Sequence, residues 1–143
     1  MSVGNIDKSF FEVTSQIPVV NTIVGHWEDT ATATTSADIT LSLQIQGNVV
    51  FLYQSVTANI PTASALSFVA VSYNGVPVTS LPAAMLPSSL RYFNTVILVG
   101  TTQTPVLMSL GNDGTFKVVI IGGTSFAGAS VTVTQWQAQY SLN

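Results

Sequence analysis

The densest cluster of reactive side chains in this sequence is His26-Trp27-Glu28-Asp29, which holds the chain's one histidine. A Ser-His-Asp hydrolase needs a histidine hydrogen-bonded to both of its partners, and no nucleophile elbow accompanies this one. A glycosidase needs two carboxyl groups within about 5 to 10 Å of one substrate bond. Glu28 and Asp29 are neighbours, so on a strand they point to opposite faces. The cluster reads as a strand end or loop with Trp27 packed inward and the carboxylates in water. No catalytic residue is assigned, and the chain is not expected to be an enzyme.

Asn112-Asp113-Gly114 is the second group that invites a chemical reading, as an oxygen site for calcium. It lacks the further acids of a calcium loop, and an Asp-Gly turn has a sufficient backbone reason to exist. There is no cysteine, hence no disulfide and no thiolate metal site. No metal or cofactor is assigned. The basic residues are Lys8, Arg91 and Lys117 in a chain of net charge -3, too few for the basic stripe that phosphate neutralisation requires, so nucleic acid is not an expected partner. The longest apolar runs, around Val49 to Tyr53 and Val118 to Ile121, fall far short of the ~20 residues of a spanning helix. Membrane insertion is not expected, and the N-terminus lacks the basic-then-apolar order of a signal peptide.

Charge is scarce throughout. Aspartate, glutamate, lysine and arginine make up 6% of a chain that is 47% hydrophobic, against about 25% in ordinary soluble domains. Staying in water then requires that much apolar surface be hidden and that the rest be wetted by Ser, Thr, Asn, Gln and backbone. Polar loops without charge, carrying an occasional aromatic, suit sugars: hydroxyls take the hydrogen bonds and the apolar ring face stacks on an aromatic.

The elements that would position such groups are strands. From Asp38 to Gln46, Ile39, Leu41, Leu43 and Ile45 alternate with Thr40, Ser42, Gln44 and Gln46, the period of a half-buried strand. Gly47-Asn48 turns it into Val49 to Tyr53, which reads as a strand covered on both faces. Leu66 to Tyr73 turns at Asn74-Gly75 toward Val76 to Thr79; Tyr92 to Val99 and Pro105 to Leu110 follow; Asn112-Asp113-Gly114 turns into Thr115 to Ile121. Ser130 to Tyr140 closes the set, its change of parity reconciled by a bulge near Thr134 and Gln135. Leu81 to Leu90, broken by Pro82 and Pro87, reads as an ordered loop. Thr30 to Ala37, Thr57 to Ala65 and Gly122 to Gly128 read as loops. The 143 residues fit one domain over 9–143, preceded by a loose segment or stalk remnant over 1–8. Eight to ten short strands with regular turns mean an antiparallel sandwich or barrel.

Met85-Leu86-Pro87-Ser88-Ser89-Leu90-Arg91, then the apolar strand Thr95 to Val99, then Val106 to Val118 with its Asn112-Asp113-Gly114 turn, resemble the C-terminal head modules of phage tail fibres and viral surface fibres. In those modules a Leu-Pro loop leads to an Arg-Pro step, two strands and an Asp-Gly hairpin. Tyr92 stands where the pattern has proline. The resemblance covers roughly Leu81 to Tyr140, while the N-terminal half agrees in strand rhythm alone. It implies a trimeric jelly roll similar to the complement C1q and tumour-necrosis-factor heads, often carried on a collagen-like or coiled stalk, at a virion surface or otherwise outside cells.

Oligomerisation also follows from the residues. Strands with apolar side chains on both faces, together with Phe10-Phe11, Trp27 and Trp136, offer more apolar surface than one core readily takes, and the second faces need a cover. Phe51, Tyr53, Val119, Ile121 and Trp136 are the candidate contacts between chains of a homotrimer; the alternative is a monomer with a thick two-sheet core. Tyr73, Asn74, Tyr92, Thr124 and Ser125 are the candidate ligand contacts. Three functions fit: a fibre head binding a host-surface glycan or protein through uncharged distal loops, a module that trimerises and caps a stalk with no ligand of its own, or a monomeric β-sandwich lectin or enzyme.

Overall fold

A computed structural model describes residues 20–120, 126 and 128–143; the boundary expected near residue 8 and the pair Phe10-Phe11 lie outside them. The described chain is all-β. Its strands are β1 Val20–Asp29, β2 Thr34–Thr35, β3 Ile39–Gln46, β4 Val49–Gln54, β5 Ala58–Ala63, β6 Leu66–Tyr73, β7 Val76–Pro77, β8 Arg91–Val99, β9 Thr102–Leu110, β10 Phe116–Ile120, β11 Ala129–Val133 and β12 Trp136–Ser141. Ten have five residues or more, and β2 and β7 are two-residue ladders on β1 and β6. The single described helical turn is Ala83–Met85, inside the loop expected between Leu81 and Leu90.

Turn chemistry sets the hairpins. Gly47-Asn48 joins Gln46 to Val49 with Gly47 at φ +61°, and Asn74-Gly75 joins Tyr73 to Val76 with both residues in the left-handed region, the requirement of a tight two-residue loop.

All described pairings are antiparallel, and the ten longer strands form one path, β12-β4-β3-β1-β6-β10-β9-β8-β11-β5. Two short connections curl it. Ser55-Val56-Thr57 leads from β4 near one end of the path to β5 at the other, and Thr134-Gln135 leads from β11 to β12. β4 pairs β12 on one side of this corner and β5 pairs β11 on the other, so a two-stranded ribbon bends from one layer of the fold to the next. The bend brings β12 over β8 and β10: Phe93 and Tyr140 have ring centroids 5.4 Å apart, and Phe116 and Trp136 5.6 Å. The parity change expected at Thr134 and Gln135 is therefore a change of layer between two strands rather than a bulge within one.

The corner is fastened from inside. Gln54 is fully buried, and its Oε1 accepts from the indole N–H groups of Trp27 at 3.0 Å and Trp136 at 2.7 Å. Its Nε2 donates to the carbonyls of Val56, on the first connection, and Val133, the last residue of β11 before the second. Every hydrogen-bonding position of the amide is used. One core holds both tryptophans: Trp27 meets Phe68 edge-on and Phe116 at a tilt, and Phe116 in turn meets Trp136 edge-on.

Two further expectations change. Thr57 to Ala65 is largely strand β5, whose Ala58, Ile60 and Ala63 are buried. Pro61 is tolerated there because β5 ends the path and an edge strand can spare the missing N–H. In β4, Val50, Leu52 and Gln54 are buried but Phe51 and Tyr53 are 37% and 41% exposed, so within the chain this strand is covered on one face.

Candidate functional site

The His26 cluster resolves into structural roles. Alternation along β1 turns Glu28 outward and Asp29 into full burial. The Asp29 carboxylate accepts from the Thr32 hydroxyl and from the backbone N–H groups of Ala31, Ser64 and Ala65. It thereby ties the β5–β6 turn to the end of β1. The Thr32 hydroxyl, then the Ala65 amide, hold its pKa down to about 2, since donors to the charged form favour that form. His26 Nδ1 stands 3.0 Å from Asp38 Oδ1 at the surface. Among the described residues no three His, Cys, Asp or Glu side chains come together.

Of the candidate ligand residues, the described ones, Tyr73, Asn74 and Tyr92, lie in two separate places. Tyr73 is half-buried against the core. Asn74 is spent on its own turn: Oδ1 accepts from the Thr22 N–H and Nδ2 donates to Asn21 Oδ1, each at 2.9 Å. Tyr92 lies on β8, three strands along the path from β6, 57% exposed, in the cross-strand row Tyr92, Ser109, Lys117, Ser67. Tyr73 is six residues along β6 from that row, about 20 Å. Thr124 and Ser125 lie outside the described residues.

Tyr92 borders a depression of about 540 Å³ with Leu90, Asn112, Asp113 and Lys117. The turn reading of Asn112-Asp113-Gly114 accounts for its geometry: Asp113 Oδ1 accepts from the Thr115 N–H at 3.0 Å and Gly114 has φ +87°. That backbone donor, first among its surroundings, lowers the pKa of Asp113.

The candidate contacts between chains separate as well. Trp136 is 5% exposed and committed to the chain's own core. Phe51 and Tyr53 are on the outer face of β4, whereas Val119 is half-buried on β10, four strands further along the path. Ile121 lies outside the described residues. Val119 continues the outward row Asn94, Leu107, Val119, next to Val96 and Pro105.

Sequence reasoning missed the larger depression, about 820 Å³, on the outer face of β12, β4 and β3. Register builds it: Tyr53 lies between Ser42 and Gln137, and Phe51 between Gln44 and Gln139. The signal was present, since Gln44, Phe51, Tyr53, Gln137 and Gln139 all sit at the non-core parity of their strands. Finding it required knowing that β12 pairs with β4, a contact across more than eighty residues of chain.

No protein-family model matches this sequence, and no curated protein does. Among solved structures, the fold is similar to that of a reovirus attachment protein, sigma1, determined in complex with α-2,3-sialyllactose, with a TM-score of 0.50 and 17% sequence identity. The match covers 87% of this chain and 66% of that one, so this chain spans just under two thirds of its length. The two share a fold.

Proposed function

We propose that this chain is the head of a viral surface fibre that assembles as a homotrimer and attaches the particle to a host-surface receptor, glycan or protein. The observation that carries the reading is the fold likeness over 87% of the chain to a viral attachment protein crystallised with a sialylated sugar. The fibre-head resemblance of Leu81 to Tyr140 supports it from the sequence, as does the scarcity of charge. In this reading three copies surround an axis as in the C1q and tumour-necrosis-factor heads, cyclic closure hiding the apolar outer face that carries Val96, Leu107 and Val119. The place of action is the virion surface.

A capping role without a ligand is the second reading, favoured by one observation: Tyr73 and Asn74, at a turn where recognition was expected, are engaged within the chain. Two measurements decide. Light scattering is expected to give about 45 kDa, three times the 15.0 kDa chain; 15 kDa would remove the trimer. Binding of the intact oligomer to a glycan array or to cultured cells supports attachment, and absence of binding to both supports capping.

A further inference from the structure

We propose that the outer face of β12, β4 and β3 is a binding platform for neutral pyranose sugars. The inference rests on the attachment reading and narrows the receptor to an uncharged glycan gripped by a sheet surface instead of by loops.

Two cross-strand rows make the platform, Ser42-Tyr53-Gln137 and Gln44-Phe51-Gln139, with Val20 beside Gln44. Within a row the side chains of paired residues stand about 5 Å apart. The rows themselves, two residues apart along each strand, are about 7 Å apart. Each aromatic ring is thus flanked on both sides by an uncharged polar side chain, serine or glutamine, within reach of anything lying on the ring. Phe51 and Tyr53 are 37% and 41% exposed, and Gln137 and Gln139 are exposed.

The chemistry selects a class of ligand. A pyranose has an apolar face that stacks on an aromatic ring and equatorial hydroxyls that both donate and accept around its rim. Primary amides donate and accept as well, so a ring of glutamines matches a ring of hydroxyls without fixing the sense of each bond. None of the described residues lining the depression is charged. Among the described residues it therefore offers no cation to a carboxylated or sulfated sugar, in a chain whose net charge is -3. A neutral sugar loses nothing on that surface. A seam between copies of the chain is a poorer match: the fully buried centre of such a seam is mostly apolar, whereas four of the six side chains in these rows are Gln or Ser, whose polar atoms would need partners once covered.

The test uses the purified full chain on an array bearing lactose, N-acetyllactosamine and their sialylated counterparts, with binding to a panel of cultured cells measured beside it. The wild type is expected to bind the neutral probes. Phe51→Ala and Tyr53→Ala are each expected to weaken that binding at least tenfold, Gln137→Ala and Gln139→Ala severalfold, and Tyr53→Phe little. Solution mass and circular dichroism should be unchanged in all five variants. Neutral binding that survives both alanine variants of the aromatics overturns the platform. So does binding restricted to sialylated probes, binding to cells without any glycan binding, or a fall in mass in Phe51→Ala or Tyr53→Ala; each of these leaves the attachment reading standing. A wild type that binds neither probes nor cells overturns both.

Discussion

The two outer faces of this fold are built on the same inward pattern and differ in what they present. On β12, β4 and β3 the outward rows are glutamine and serine around two aromatics. On β8, β9 and β10, Val96, Pro105, Leu107 and Val119 occupy the equivalent outward positions, giving way to Tyr92, Asp113 and Lys117 at one end. Period-two alternation fixes which residues face out, but not the use of the surface they make. In the proposed reading, contact between chains falls to the aliphatic face and contact with a ligand to the amide face.

The largest expected effect is on assembly. Val96→Asp together with Val119→Asp places two charges on the aliphatic face, and light scattering should show the mass fall from about 45 kDa to the 15.0 kDa of one chain. A mass that stays at the trimer value would move the seam elsewhere. The next largest removes the support that both faces share. Gln54→Leu leaves two buried indole N–H groups without an acceptor, at about 1 to 3 kcal/mol each, so denaturant unfolding should show a loss of about 2 to 6 kcal/mol. A loss under about 1 kcal/mol, below the low end for even one such group, would mean that the corner is held by apolar packing alone.

The Asp29 tie yields a smaller, pH-dependent effect. Its folded pKa, about 2, lies below the ordinary 3.8, so the stability it contributes is complete above pH 3.8 and is lost as pH falls toward 2. Asp29→Asn should flatten the stability profile across that window; a variant that tracks the wild type there would show that the carboxylate is not responsible. Smallest of all is Lys117→Ala, exposed on β10, which should change stability by no more than about 0.5 kcal/mol and leave neutral-sugar binding intact. Loss of binding in this variant would transfer the ligand to the Tyr92 depression.

Much of the architecture was legible because local chemistry sufficed for it. The alternation of Ile39 to Ile45 and the Gly47-Asn48 and Asn74-Gly75 turns gave strands and hairpins where the structure has them. β5 was obscured, because Ala58, Ala63 and Pro61 carry too little apolar contrast to display a period. The layer change at Thr134-Gln135 looked like a bulge, since parity alone does not distinguish a strand that kinks from one that changes partners. Exposure was the hardest quantity to read. Phe51 and Leu52 are both apolar, yet one faces out and the other in, and sequence cannot supply the neighbours that decide whether the outward one is covered. Gln54 illustrates the same limit in reverse: a polar residue after an apolar run looks like a strand end, and its burial depends on two tryptophans 27 and 82 residues away. The candidate site was less legible than the fold because its rows cross strands distant in sequence.

The most direct test of the division between faces is the solution mass of the double variant Phe51→Asp with Tyr53→Asp. If the amide face is free for ligand and the aliphatic face joins the chains, light scattering will return about 45 kDa, three times the 15.0 kDa chain, as for the wild type. A mass of 15.0 kDa would contradict that division.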